Sequence, residues 1–276
     1  MSMPGVSDAG CVLKSGLKSG NMARAIRFDE FGNGEHHDEK SESITIMKFD
    51  PSAITLDRAE ILRLQGCRHM DTRRDAWIGE LLQEESQKAV QFLSPQGTHR
   101  LFPIASLHGK RRIELSNGSR FDSRCVSELI RGSSLLVVAL CTIGQSLENQ
   151  VSEYLERGEY ARAVMLDAIG SVAAESCAEL LNDFIQENTG DDSLMLTERF
   201  SPGYGDFKLE SQRTLFSLMD GDTLGITIND SCLMTPRKSI SFVGGMGKEV
   251  RFTRGHRQDR CAVCGLINCQ YSSLAR

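Results

Sequence analysis

Residues 197–206 hold the side chains of this sequence that are best suited to bind a small charged ligand. They read Thr-Glu-Arg-Phe-Ser-Pro-Gly-Tyr-Gly-Asp. Arg199 offers a planar fork of donors that matches a carboxylate, Gly203 lets the backbone approach a ligand closely, and Tyr204 supplies a flat face with a polar tip. A Pro-Gly turn near an arginine is also typical of an ordinary surface turn. The spacing of these residues alone therefore favours a surface turn, and ligand binding is the alternative hypothesis.

A second group of candidate functional residues lies near the C-terminus, where Cys261, Cys264 and Cys269 form a Cys-x2-Cys-x4-Cys pattern. Three thiolates on a short loop suit an iron-sulfur cluster or zinc, because both are bound by soft ligands. The preferred interpretation is a cluster, with a zinc knuckle and three unliganded thiols as the alternatives. The candidates for a fourth ligand are a small molecule, His256, Cys141 and Cys232.

Composition restricts the class of protein. The 276 residues are 40% hydrophobic and 25% charged, which predicts a folded chain. A net charge of -5 argues against nucleic-acid binding as the main function, although residues 251–260 form a local basic cluster. The longest apolar run, residues 135–140, is far shorter than the roughly 20 residues that span a bilayer.

The expected compartment is the cytoplasm. The N-terminus lacks the continuous apolar core of a secretory signal. The chain has nine cysteines, an odd number that fits a reducing compartment better than a disulfide framework.

Two N-terminal regions are predicted from local patterns. Residues 1–43 lack apolar periodicity and are expected to form a mobile tail. Residues 44–98 are expected to form a small helical subdomain. Its first helix begins at Asp57, which caps it, and closes before Gly66, with Glu60 as the return partner of a capping box. Its second helix, residues 73–93, is predicted to turn Trp77 inward.

The rest of the chain mixes helices with strands. Asn117-Gly118 predicts a hairpin, residues from Leu135 a buried strand, and residues 160–187 a long helix in which Asp167 is a salt-bridged structural acid. The other predicted elements are a helix over 209–219 capped by Asp206, strands over 225–228 and 239–243, and a turn over 244–247. These elements predict an α+β fold with a largely antiparallel twisted sheet and flanking helices. A Rossmann-type methyltransferase is disfavoured, because no strand leads into a Gly-x-Gly-x-x-Gly turn.

Four segments together resemble a known family. Residues 230–241 read Asp-Ser-Cys-Leu-Met-Thr-Pro-Arg-Lys-Ser-Ile-Ser, and they follow the Arg-x-x-x-Gly-Tyr loop; upstream lie Cys-Thr-Ile-Gly at 141–144 and Leu-Asp-Ala-Ile-Gly-Ser at 166–171. This combination resembles the S-adenosylmethionine-binding activation domain of cobalamin-dependent methionine synthase in its free-standing form, over about residues 100 to 270. This sequence departs from the synthase-embedded domain in two ways. It has no counterpart of the N-terminal segment that supplies an aspartate to the ligand, and it has a cysteine tail that the embedded domain lacks.

The resemblance implies a fold and a function. Residues 99–255 would form the S-adenosylmethionine-binding domain, followed by a Cys-rich tail at 256–276. Arg199 would bind the methionine carboxylate bidentately, and no residue would act as a general acid or base. The remaining implied site residues are Pro202, Gly203, Tyr204, Ser231, Met234, Pro236 and Ser239.

The implied activity is reductive reactivation of methionine synthase in methionine biosynthesis. Cobalamin would be carried by a partner, a methionine synthase without its own activation domain, and an electron donor would be needed; neither nucleic acid nor membrane is expected as a partner. Two alternatives stay open: a non-enzymatic interaction protein with a zinc tail, and an electron-transfer activator of another corrinoid methyltransferase.

Overall fold

A computed structural model describes residues 23–27, 45–67, 76–219 and 224–250, and all structural statements below concern these residues. Six α-helices are present: α1 Arg58–Leu64, α2 Ala76–Ala89, α3 Arg124–Leu129, α4 Ser146–Glu156, α5 Tyr160–Glu187 and α6 Ser211–Leu218. The strands are β1 Ala23–Arg27, β2 Thr45–Phe49, β3 Gln96–His108, β4 Arg112–Leu115, β5 Arg120–Asp122, β6 Leu135–Thr142, β7 Met195–Leu196, β8 Thr227–Ile228, β9 Met234–Thr235 and β10 Ser239–Gly247.

The main sheet has the strand order β1-β2-β3-β6-β10-β7, with β4 and β5 added as a hairpin at the long strand β3. All of its pairings are antiparallel. The predicted α+β class and antiparallel sheet are therefore confirmed. The Asn117-Gly118 hairpin is also confirmed, since β4 pairs with β5 and Asn117 accepts a hydrogen bond from the Ser119 amide at 3.0 Å.

The sheet separates two hydrophobic cores, and the alternation along β6 shows how. Val137, Ala139 and Cys141 face a layer formed by α1, α2, α4 and α5, which we call the helical face. Leu136, Val138 and Leu140 face α3, α6 and the β4–β5 hairpin, which we call the hairpin face. Because successive side chains of a strand point to opposite sides, a buried strand with apolar residues at every position can serve both cores.

The long helix α5 spans the helical face with the predicted bounds. Asp167 in this helix forms an ion pair with Lys238, 2.8 Å from the Lys238 Nζ, and Ser171 accepts a hydrogen bond from the same ammonium at 2.9 Å. Gly170 lies beside this lysine, where a Cβ atom would approach the Lys238 Cε to 3.2 Å. Asp167 is therefore the structural acid that the sequence predicts.

The N-terminal helices belong to the same layer as α5. Asp57 caps α1 as predicted, accepting from the amides of Ala59 and Glu60. Ile61 and Leu82 share the core of α5, and the predicted boundary at residue 98 falls inside β3, which pairs with both β2 and β6. The described residues of the predicted helical subdomain thus share the sheet and the core of α5. The predicted tail also contains a strand, β1, which pairs with β2 from Ala23 opposite Phe49 to Arg27 opposite Thr45.

Three local predictions are wrong. Trp77 is 57% exposed rather than buried. Residues 244–247 continue β10 instead of forming a turn. The glycines serve close packing there, since a Cβ atom at Gly245 would overlap Ser133 and one at Gly247 would approach the Gly132 carbonyl to 2.6 Å. Asp206 does not cap α6, whose cap position is Glu210; it instead accepts hydrogen bonds from the first two amides of α3, whose cap is Ser123.

None of the helices within the described ranges combines the length and apolar character needed to cross a lipid bilayer.

Candidate functional site

The loop of residues 197–206 begins as an extension of the sheet edge. It follows β7 and is joined to Gly245 of β10 by two hydrogen bonds of 2.8 Å. The Thr197 amide donates to the Gly245 carbonyl, and the Gly245 amide donates to the Thr197 hydroxyl. Phe200 then exchanges two backbone hydrogen bonds with Val243, at 2.8 and 2.9 Å. The first half of the loop is therefore held rigidly on β10.

The second half of the loop leaves β10 in a tight turn. Gly203 has φ of 95° and Gly205 has φ of 55°, values that favour glycine. The Gly203 amide donates to the Phe207 carbonyl at 2.7 Å, and the Phe207 amide donates to the Tyr204 carbonyl at 3.0 Å. A Cβ atom on Gly203 would meet only Leu209, at 3.9 Å, so the backbone conformation rather than crowding requires this glycine.

Arg199 lies on the helical face and is buried, with 4% of its surface exposed. Its Nη2 donates to Glu175 at 2.7 Å and to Glu179 at 2.8 Å, and its guanidinium lies 5.9 Å from the centre of the Phe242 ring. The two carboxylates are one helical turn apart on α5, and their side chains are 48% and 46% exposed. We call these three residues the Arg199 cluster.

The electrostatics of the Arg199 cluster are those of a stabilised buried cation. Burial opposes the charge of Arg199, but the neighbouring carboxylates of Glu175 and Glu179 outweigh burial and raise its pKa above the ordinary value. Its Nε lies buried without a hydrogen-bond partner among the described residues. This Nε is therefore a buried donor whose hydrogen-bonding capacity is unsatisfied within the described part of the chain.

Tyr204 lies on the opposite side of the sheet from Arg199. Phe200 packs in the core of the hairpin face, and the exposed Tyr204 ring meets it edge to face at a centroid distance of 6.4 Å. Pro202 is buried and Gly203 is exposed. Since Arg199 and Phe200 are adjacent on an extended strand, their side chains point to opposite faces, and one loop reaches both.

The second predicted segment also borders β10, at its other end. Ser239 is buried, and its hydroxyl donates to the Thr142 hydroxyl at 2.9 Å. Ser239 is four residues from Val243, the partner of Phe200, which corresponds to roughly 13 Å along the strand. The structure thus places the two predicted segments on one strand but not in one compact cluster.

The remaining predicted residues of this segment precede β10. Ser231 is exposed in a turn, in which Asn229 accepts hydrogen bonds from the amides of Ser231 and Leu233, both at 2.9 Å. Met234 is half-buried in β9, and Pro236 is buried after a cis peptide bond.

Sequence reasoning missed Glu175, Glu179 and the role of Asp206. The only sequence signal for the glutamates is their i, i+4 spacing on a predicted helix. Asp206 accepts hydrogen bonds from the amides of Arg124 and Cys125, at 2.8 and 3.0 Å, and from the Ser123 hydroxyl at 2.7 Å. Burial opposes its ionisation, but these donors hold the pKa of Asp206 well below its ordinary value.

The predicted metal ligands Cys261, Cys264 and Cys269, and the candidate His256, lie outside the described residues. Within the described part of the chain, no group of three or more His, Cys, Asp or Glu side chains could hold a metal ion. Cys141 is fully buried, and its contact with Cys177, together with burial, raises its pKa. Cys232 is buried as well, with φ of 59°.

Comparisons with known proteins place this geometry in a family. Residues 103–254 match the model of the family described as vitamin B12 dependent methionine synthase, activation domain. Among solved structures, the chain is similar to the crystal structure of the MetH reactivation domain bound to AdoHcy, with a TM-score of 0.60 and 13% sequence identity over 81% of this chain and 86% of that one. At this identity the structural match shows a shared fold. No curated protein matches significantly. Because the family model covers more than half of the chain, this protein belongs to the vitamin B12 dependent methionine synthase activation-domain family.

Proposed function

We propose that this protein binds S-adenosylmethionine and presents its methyl group to cob(II)alamin on a partner protein. The partner would be a methionine synthase without its own activation domain, and the step would be reductive reactivation in methionine biosynthesis. Membership of the activation-domain family supports the proposal. The observation that carries it is the Arg199 cluster, which places a buried cation between two half-exposed carboxylates.

The charges of this cluster complement the amino-acid end of S-adenosylmethionine. Arg199 would bind the ligand carboxylate, since a guanidinium is suited to bidentate pairing and its Nε has no partner among the described residues. Glu175 and Glu179 are exposed enough to turn toward the ligand. They would then face its ammonium and sulfonium charges, so that no charge is left unpaired.

The other proposed contacts follow β10. Gly203 and Tyr204 would contact the ligand at one end, with Pro202 shaping the turn. The far end would be lined by four residues of the second segment: Ser231, Met234, Pro236 and Ser239. An elongated ligand that touches both segments must lie along β10, because the segments border the same strand.

When bound, S-adenosylmethionine supplies an electrophilic methyl group, which the partner's cobalamin accepts together with one electron from a donor. The residues of this chain bind the ligand, orient it and exclude water, which is catalysis by positioning. None of them is assigned a proton-transfer role.

We further propose that Cys261, Cys264 and Cys269 would hold an iron-sulfur cluster, which would supply one-electron chemistry that zinc lacks. Cys141 is a poor fourth ligand, because reaching it would require opening the core between β6 and α5. Anaerobically isolated protein should contain iron and acid-labile sulfide, and Cys264→Ser should remove both. Stoichiometric zinc without iron would show a structural tail instead.

The ligand site is tested by Arg199→Ala. A charge-assisted pair contributes about 1.5 to 3 kcal/mol, so the variant should bind S-adenosylmethionine about ten-fold to a hundred-fold more weakly. Titration calorimetry measures the affinity, and Arg157→Ala, which removes an exposed guanidinium paired with Glu153, is the control. Unchanged affinity in a folded Arg199→Ala variant would remove Arg199 from the site.

The partner is tested with a methionine synthase that lacks an activation domain and is loaded with cob(II)alamin. Adding this protein, S-adenosylmethionine and a low-potential reductant should restore methylcobalamin, which the absorption spectrum reports. A rate no faster than that of reductant and S-adenosylmethionine alone would reject this role.

A further inference from the structure

A cleft to which no function has been assigned opens between the start of α2 and the start of α5. It has a volume of about 500 Å³ and is lined by Trp77, Leu81, Tyr160 and Ala161 together with charged side chains. Trp77 is 57% exposed and Tyr160 is 66% exposed. Tyr160 precedes Glu175 by fifteen residues of α5, or roughly 22 Å, so the cleft is separate from the Arg199 cluster.

The charged lining of the cleft is acidic. Glu80, Glu84 and Glu159 face it, against the single guanidinium of Arg162. Arg162 pairs with Glu84 at 3.0 Å and with Glu159 at 3.4 Å. No ion pair joins Glu80 to another residue of the described ranges. Two exposed aromatic rings beside excess carboxylate favour a ligand that carries both apolar and cationic side chains.

The floor of the cleft is a fixed scaffold. Glu85 is fully buried beneath it and binds the guanidinium of Arg162, the hydroxyl of Tyr154 at 3.0 Å and the ammonium of Lys88 at 3.3 Å. We call these residues the Glu85 cluster. Since it holds α2, α4 and α5 together, the aromatic rings above it have a defined spacing.

The chain itself supplies a segment of matching chemistry at the correct end of the sheet. β1 starts at Ala23, opposite Phe49 of β2. The Phe49 amide donates to the Pro95 carbonyl. This is the end of the sheet where Thr142 contacts Cys177 of α5. From Cys177, α5 continues roughly 25 Å past this end to Tyr160. β1 therefore begins at the end of the sheet where the cleft lies.

We propose that residues 12–18 of the same chain dock in this cleft. They read Val-Leu-Lys-Ser-Gly-Leu-Lys and carry two leucines and two lysines with no acidic residue. Lys14 lies nine residues before Ala23, a reach of about 30 Å in extended chain. Leu13 and Leu17 cover Trp77, while Lys14 and Lys18 neutralise the excess carboxylate. β10 ends at the opposite end of the sheet, where Glu249 lies against Gly132.

Trp77 is the only tryptophan of the chain, so its fluorescence reports directly on the cleft. In the full chain, Lys14→Glu/Lys18→Glu should shift the emission to longer wavelength and raise the acrylamide quenching constant about two-fold, because the repelled segment uncovers the indole. Added salt should produce the same shift in the wild type only. A synthetic peptide of residues 10–22 should reverse the change in the variant.

The matched control is Arg257→Glu/Arg260→Glu, which makes the same charge change in the C-terminal segment and should leave Trp77 unaffected. Identical Trp77 emission and quenching in wild type and Lys14→Glu/Lys18→Glu would overturn the proposal. Exposure of Trp77 by the control variant would make the C-terminal segment the occupant. Quenching that depends on protein concentration would make it a second copy. Either result would also overturn docking by residues 12–18 of the same chain.

Discussion

Helix α5 contributes residues to two arginine–glutamate clusters that are built in opposite ways. In the Arg199 cluster the cation is buried and both carboxylates are half-exposed. In the Glu85 cluster the carboxylate is buried, and its partner Arg162 is one-third exposed. Removing the partner of a buried charge costs more than removing the buried charge together with its pairing. The solvent-facing members are therefore the carboxylates in the Arg199 cluster and the guanidinium in the Glu85 cluster.

The largest effect should come from Arg162→Ala, which leaves the buried Glu85 without its closest cation. We expect a loss of about 3 kcal/mol in the free energy of unfolding, since Tyr154 and Lys88 remain as partners. Urea denaturation measures it. Arg157→Ala, five residues earlier and paired only with exposed Glu153, should change stability by less than about 0.5 kcal/mol. Equal losses in the two variants would show that burial of Glu85 does not matter.

A somewhat smaller effect is expected from His99, a titratable group on the same helical face without a counter-charge. His99 lies on β3 opposite Ala139 and edge-on to Phe184. Burial lowers its pKa from 6.5 to about 4. Below pH 6.5 the unfolded chain therefore binds the proton more readily than the folded protein, and stability falls as pH decreases toward 4.

The expected contribution of His99 is about 2.5 kcal/mol lost between pH 7 and 4.5. Chemical denaturation at several pH values measures it. His99→Leu should flatten the curve in this window, whereas replacing the exposed His108 in the same way should not. A wild-type curve without a slope between pH 6.5 and 4.5 would contradict the burial of a neutral histidine.

Next in size is Glu175→Gln/Glu179→Gln, which leaves the Arg199 charge with neutral partners. The expected loss is about 1 to 2 kcal/mol, less than for Arg162→Ala, because water already reaches the half-exposed glutamates. If these glutamates also face the cationic groups of S-adenosylmethionine, affinity should fall in parallel by about ten-fold. Thermal melts with and without ligand measure both. A loss of stability with unchanged affinity for S-adenosylmethionine would show that the glutamates pair with Arg199 but do not contact the ligand.

The smallest effect on stability should come from Arg199→Met. It removes the buried charge and places an apolar side chain over Phe242, so the expected change is below about 1 kcal/mol. Urea denaturation decides this as well. A loss as large as that of Arg162→Ala would show that the Arg199 cluster is structural, and the contrast between the clusters would disappear.

Local sequence patterns determined most of the secondary structure. The bounds of α5, the Asp57 cap of α1 and the β4–β5 hairpin are set by interactions within a few residues, and each is readable as periodicity, a capping residue or a turn pair. The family resemblance likewise depends on short motifs, and the family match confirms it. The assignment of ligand contacts to these motifs remains a prediction.

Tertiary structure alone decided the features that join distant parts of the chain. Asp206 accepts hydrogen bonds from the first amides of α3, a helix that begins 82 positions earlier, because folding brings the loop against it. Residues 244–247 extend β10, and the missing side chains of Gly245 and Gly247 let the turn after α3 pack directly on the strand. Arg199 acquires Glu175 and Glu179 as partners only when β10 packs on α5. The sequence contained all of these residues, but the physical reason for each role is a contact across the fold, which no local pattern encodes.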